Sequence, residues 1–243
     1  MGFSVTRTPR QGPAPPPGAW YGRNVRDDTL TLPIFPLASV VLFPHIQTPL
    51  HIFEPRYRQM IEHALAGDRH IAMVVVRPEG ISEMAGDAPI YSVGCAGSIE
   101  QFQRYADGRY DIVLHGTRRV RIEAEPTRSV DRLYRSARVG FLDDPSRPED
   151  AATVGAMRKQ AIADALAVFG DGAIEISHDS LDRIDDATFV NLLCSALPFT
   201  TLEKQALIEV DGIRERFEAL IELFRFARIE MQSRRVPNSG VFH

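Results

Sequence analysis

Seven histidines, two cysteines and two lysines are the side chains with which this 243-residue chain could do chemistry. Their spacing supports little of it. His45, His51, His63 and His70 lie close in sequence, yet no HxxxH or CxxC spacing joins them into a metal cage. They read as isolated histidines on strand edges. No GxSxG elbow marks a serine nucleophile. A phosphate loop needs GxxxxGK[ST], whereas Lys159 follows Arg158 and Lys204 follows Glu203. A Walker-type nucleotide site is therefore excluded. Cys95 falls in a strand-like run and Cys194 in a helix-like one, so both read as free, buried thiols of a reducing, cytoplasmic compartment. The expectation is a chain with no catalytic residue, no metal and no cofactor.

Binding chemistry is better served. Residues 32 to 58, LPIFPLASVVLFPHIQTPLHIFEPRYR, string short apolar runs between prolines 33, 36, 44, 49 and 55. At the end of this segment, where a strand turns into a helix, stand Phe53, Glu54, Arg56, Tyr57 and Arg58. A helix start offers spare backbone N–H donors, and the arginines add cationic donors beside aromatic rings. Such a corner can grip an extended backbone and an apolar side chain together. These five residues are the candidate polypeptide contacts. The plainer alternative is that Glu54 only caps the helix and Arg56 only pairs on the surface.

Charge narrows the partner classes. The net charge of −4 argues against a dedicated nucleic-acid binder, and no apolar run approaches the about 20 residues of a membrane helix. No apolar leader stands at the N-terminus, so a secretory signal is not expected. Arginines 118, 119, 121, 128, 132, 135 and 138 nevertheless concentrate in one tract, and 143 to 186 is acidic. Solvated strand faces are the ordinary meaning of such runs. A phosphate track for RNA is the alternative.

The elements that must position the corner follow from periodicity. Residues 1 to 28 form a Pro-rich tail, with QGPAPPPG suited to polyproline II and not to helix or ladder. From 29 to 145 the pattern is mostly β: Thr29 to Phe35, Val40 to Phe43, Leu50 to Phe53, Ile71 to Val76 and Leu133 to Leu142 read as strands. A helix interrupts from Pro55 to Gly67, with Pro55 suited to its first position and Glu54 placed to cap it. Val93 to Tyr105 and Arg109 to Glu123 flank Asp107-Gly108, a hairpin signal whose central positions want positive φ. Gly94, Gly97 and Gly116 within these strands point to bulges or sharp curvature. This half predicts a small β-barrel with one embedded helix. From 146 to 232 the period is helical, with a capping box at Thr200 to Glu203 and a long last helix after Asp211. Residues 233 to 243 read as a frayed tail.

Three blocks of this chain resemble one family in order and spacing. They are LPIFPLASVVLFPHIQTPLHIFEPRYRQMI at 32 to 61, VGCAGSIEQFQRYADGRYDIVLHGTRRVRI at 93 to 122, and LPFTTLEKQALIEV at 197 to 210. The chain is similar to the substrate-binding N-terminal domain of ATP-dependent Lon proteases, in its stand-alone bacterial form. The resemblance implies an α+β fold, a PUA-like β pseudo-barrel followed by a helical subdomain. It also implies a non-enzymatic role in recognising unfolded or extended polypeptides, as an adaptor or receptor with a protease partner. The motor and the Ser–Lys protease domain that follow this module in the full protease are not expected here, since the chain has no Walker lysine. PUA-like folds also bind RNA in other families, which keeps the RNA reading as the alternative.

Overall fold

The computed structural model describes residues 29–84, 86–145, 147–170 and 183–235. The Pro-rich tail at 1 to 28 lies outside the described residues, as does the expected C-terminal tail from residue 236 onward. Two compact units meet at Leu142 and Asp143.

The first unit holds six strands and one helix: β1 (Thr29–Leu37), β2 (Gln47–Ile52), α1 (Pro55–Ala66), β3 (His70–Val75), β4 (Val93–Arg104), β5 (Tyr110–Ala124) and β6 (Ser136–Leu142). β1 changes partner halfway. Its residues 29 to 33 run antiparallel to β6, and 34 to 37 run parallel to β3. Each half is laddered along one edge, which is why Pro33 and Pro36 fit despite their missing N–H. β3 continues to β4, β4 to β5, and the far half of β5 to β6, so the pairings return on themselves. β2 stands outside this ring and pairs with the near half of β5. Between the two halves of β5 lies Gly116, where a Cβ would come within 2.1 Å of the Phe43 carbonyl oxygen. Only glycine lets that backbone approach.

Within the ring, strand alternation points small and branched side chains at one another: Leu32, Ile34, Ala72, Val74, Ala96, Val120, Ala137 and Val139 form one buried cluster. β3 is apolar on both faces, because Ile71, Met73 and Val75 are also buried. The continuous apolar run of the sequence has this cause.

Three boundaries differ from the periodicity reading. Val40 to Phe43 is no strand; Val41, Leu42 and Phe43 are buried as irregular chain that turns at His45 (φ 67°). This segment docks on β5 through His45 N–H to the Gly116 carbonyl (2.7 Å) instead of forming a ladder. β2 begins at Gln47 and stops before Phe53. β6 starts at Ser136, not Leu133. The hairpin tip also departs from the two-residue form. Gly108 N–H bonds back to the Tyr105 carbonyl (3.0 Å) and Gly108 alone takes positive φ (84°), a turn followed by a left-handed glycine.

The second unit is helical: α2 (Ala151–Phe169), α3 (Asp186–Ala196), α4 (Thr201–Glu209) and α5 (Ile213–Arg235). Its core is aromatic, with Phe169, Phe199 and Phe224 packed ring against ring and Phe189 stacked on Phe217. The capping box is present: Glu203 N–H reaches Thr200 Oγ1 (3.3 Å) and Thr200 N–H reaches Glu203 Oε2 (2.7 Å). Arg216 is fully buried and donates to Asp144, Asn191 Oδ1 (2.9 Å) and the carbonyls of Leu207 (3.2 Å) and Val210 (3.0 Å). One guanidinium thereby ties four chain segments together.

Candidate functional site

The chain leaves β2 at Ile52 and enters α1 at Pro55, and the residues between are fixed at both ends. Phe53 emerges here with 60% of its surface exposed. Glu54 occupies the N-cap position, but its side chain caps nothing. Its carboxylate takes the Arg56 Nε–H at 3.0 Å instead, since a charged donor two residues away outbids the backbone amides. Those amides are fewer than at most helix starts. Pro55 has none, and the N–H groups of Tyr57 and Arg58 go to the Glu54 carbonyl (3.0 and 2.9 Å). The expected supply of spare donors is therefore reduced.

Tyr57 also departs from the expected set. It is 4% exposed, turned inward onto Phe35 at 4.5 Å between ring centroids, and its hydroxyl donates to the Pro36 carbonyl (3.1 Å). Burial pushes its phenol up to about 12. Helical spacing with Met60, Ile61 and Ala64 puts it on the core face. Its ring therefore lies in the core beneath the corner. Arg56 lies over its ring (4.4 Å), which orients that guanidinium. Arg58 lies against the hairpin tip, so close that a Cβ on Gly108 would fall 2.2 Å from its Nη2.

The structure brings four further residues to the corner. His51, on β2 opposite Asp111 of β5, stacks its ring on Phe53 at 6.1 Å and meets the ring of Tyr105 edge-on at 6.4 Å. His51 Nδ1 lies 2.5 Å from Asp111 Oδ1, and the Tyr105 hydroxyl donates to the other oxygen. These bonds hold the Asp111 carboxyl below its ordinary range, the hydroxyl of Tyr105 first and His51 next. The same bond raises the Tyr105 phenol. Arg109 completes the set, its Nε–H on Asp107 (2.7 Å) and its Nη1 3.4 Å from His51 Nε2. Strand alternation could have placed His51 and Phe53 on one face. That β2 joins the free side of β5 has no signature in composition or period.

An aspartate–histidine pair invites a catalytic interpretation. Here His51 Nε2 faces the Arg109 guanidinium, and the Tyr105 hydroxyl is spent on the same carboxylate. The pair fixes ring positions. Elsewhere, Cys95 and Cys194 are buried free thiols, and burial drives Cys194 up to about 12. Among the described residues no three His, Cys, Asp or Glu side chains gather to hold a metal. A cavity of about 140 Å³ in the helical unit, bordered by Arg147, Asp150 and Arg214, is below the size of ordinary ligand pockets.

The arginine tract is largely engaged internally. Arg128 pairs with Asp87 (2.7 Å), Arg135 with Glu125 (2.6 Å) and Arg138 with Glu123 (3.3 Å). Arg119 is fully buried, and Arg132 donates to Ser136 Oγ (3.2 Å). Among the described residues no helix is long and apolar enough to cross a membrane.

A mixed α+β chain that presents exposed aromatic rings and braced charges on rigid strand and helix ends has the build of a recognition module. Comparison with known proteins gives that class its name. The chain belongs to the ATP-dependent protease La (LON) substrate-binding domain family, whose model matches residues 31–225. It is 27% identical over 206 residues to the Lon protease of Escherichia coli (strain K12), covering 82% of this chain and 25% of that protein. It is 28% identical over 213 residues to Lon protease 2 of Desulfotalea psychrophila, covering 86% of this chain and 27% of that one. The chain thus spans about a quarter of the length of these relatives. Two solved structures share the fold. The Lon N-terminal domain protein from Xanthomonas campestris matches with TM-score 0.52 and 22% identity, covering 79% of this chain and 98% of that one. The N-terminal domain of Mycobacterium avium complex Lon protease matches with TM-score 0.61 and 20% identity, covering 81% and 98% respectively.

Proposed function

We propose that this chain is a non-catalytic receptor for unfolded or extended polypeptides, acting in the cytoplasm as an adaptor to a protease partner in protein quality control. One observation carries the reading: Phe53, 60% exposed, stacks on His51, whose own ring is held by Asp111 and Tyr105. An exposed aromatic ring already held in one pose by its neighbours offers an apolar partner surface to bury at little entropic cost. Glu54 sets the pose of Arg56, and Tyr57 anchors the helix beneath. Membership of a substrate-binding family supports the same conclusion. The closed cycle of strand pairings supports naming residues 29 to 145 a PUA-like β pseudo-barrel, with 146 to 232 as the helical subdomain. The RNA alternative draws little support from an arginine tract in which Arg128, Arg135 and Arg138 pair with carboxylates and Arg119 is buried.

The test is a titration of reduced, carboxymethylated lactalbumin against the wild type, Phe53→Ser and Arg56→Glu. Each substitution is expected to weaken binding about tenfold, the scale of one apolar or charge-assisted contact. Unchanged affinity in folded variants would remove this corner from the reading. Salt-sensitive binding of mixed RNA would favour the alternative.

A further inference from the structure

Among the strands of the described residues, β2 alone ladders with a single neighbour along its whole length. Which of its backbone groups face away from β5 can be worked out. Gly116 N–H donates to the Ile46 carbonyl at 2.9 Å, so position 46 faces β5. Alternation then turns the backbone groups of Thr48, Leu50 and Ile52 toward β5, and those of Gln47, Pro49 and His51 outward. Pro49 agrees, since its missing N–H sits on the open side, where edge strands place proline. Phe53 continues the outward parity one step beyond the strand. By this parity the amides of Gln47, His51 and Phe53 point away from β5. The side chains of Gln47, Pro49, His51 and Phe53 are exposed as well.

We propose that an extended polypeptide binds by adding itself as a strand to this outer edge, with residues opposite Pro49, His51 and Phe53 and an apolar side chain against the Phe53 ring. The proposal rests on the receptor reading above and supplies its mode: backbone hydrogen bonds give affinity, and Phe53 selects an apolar residue. Unlike a sequence motif, such a ladder accepts many sequences. The occupant is a foreign chain and not a second copy. Self-pairing of β2 brings Pro49 from both copies into the ladder and loses two bonds, whereas a foreign strand loses one.

Hydrogen exchange with and without reduced, carboxymethylated lactalbumin reads the proposal directly. Exchange at the His51 and Phe53 amides is expected to slow at least about tenfold, while that of Leu50, already bonded to β5, changes little. In parallel, His51→Pro deletes an outward N–H and His51→Ala deletes the side chain alone. His51→Pro is expected to bind about tenfold more weakly than His51→Ala, the scale of one hydrogen bond. No protection at those amides, or equal affinity of the two variants when folded, overturns the edge mode. Should His51→Pro not fold, peptides from the probe N-methylated at successive positions replace it. Loss of affinity at every second position is expected, and a uniform effect overturns the proposal. Protection that appears without probe and grows with protein concentration assigns the edge to a second copy and overturns it too. No binding of unfolded protein at all sinks the receptor reading, whereas binding without edge protection removes only this mode.

Discussion

Phe53 and Tyr57 are four residues apart and have opposite fates, because one leaves a strand and the other enters a helix on its core side. The aromatic and cationic composition of the corner was legible in the sequence, but not which ring faced water. That depends on the turn at Pro55, whose fixed φ sets the helix phase. His51 was hidden for another reason: Tyr105, Arg109 and Asp111 sit together on the β4–β5 hairpin, and His51 joins them only through the β2–β5 pairing. Gly108 links the two sets. It holds φ at 84° and lies under the Arg58 guanidinium. Gly108→Ala is expected to lower stability by at least about 1 kcal/mol and to displace Arg58. Urea unfolding measures the first effect, and lactalbumin affinity the second. An alanine that cost nothing would mean that the tip relaxes freely and does not hold Arg58.

Elements with local signals are legible in the sequence. The Thr200 box, the start and stop of α1 and the hairpin around Gly108 all rest on residues within a few positions of one another. Val40 to Phe43 failed because burial and strand formation leave the same apolar trace, and only a ladder distinguishes them. The consequence is testable at Gly116, where that irregular segment crosses β5. Gly116→Ala should cost about 3 kcal/mol or more, since a backbone oxygen and not a mobile side chain stands in the way. Thr200→Ala, which removes one cap, should cost only about 1 kcal/mol. Comparable losses in urea melts would mean that the crossing is not a tight one.

On the scale of the whole molecule, the α+β class and the mostly-β then helical order were plain from the change of period near residue 143. The closure of the pairings was not, because it depends on β6 meeting β1 from the far end of the β unit's sequence. Stability has its own pH signature. The Cys194 thiol and the Tyr57 phenol are both pushed up to about 12 by burial, against ordinary values of about 8.5 and 10. Above those ordinary values the unfolded chain sheds protons that the folded chain keeps. Stability is therefore full below about pH 8.5 and falls as pH climbs toward 12. Urea melts across this range should show midpoints declining, with Cys194→Ala removing the earlier part of the slope. A flat profile would mean that these groups are not shut from water. Arg216 is the other global determinant. Arg216→Ala leaves Asp144 and Asn191 without their shared donor and should cost about 3–5 kcal/mol. Arg216→Lys should recover little, since an ammonium cannot span the same planar fork. Full recovery by lysine would show that charge alone suffices.

The pairing of Thr29 with Gly140 on adjacent strands has one more consequence. It places the entrance and exit of the β unit about 5 Å apart, side by side on neighbouring strands. A unit with such neighbouring ends can be spliced into a surface loop of an unrelated host through two short junctions, as a plug-in cassette that leaves the host's own path undisturbed.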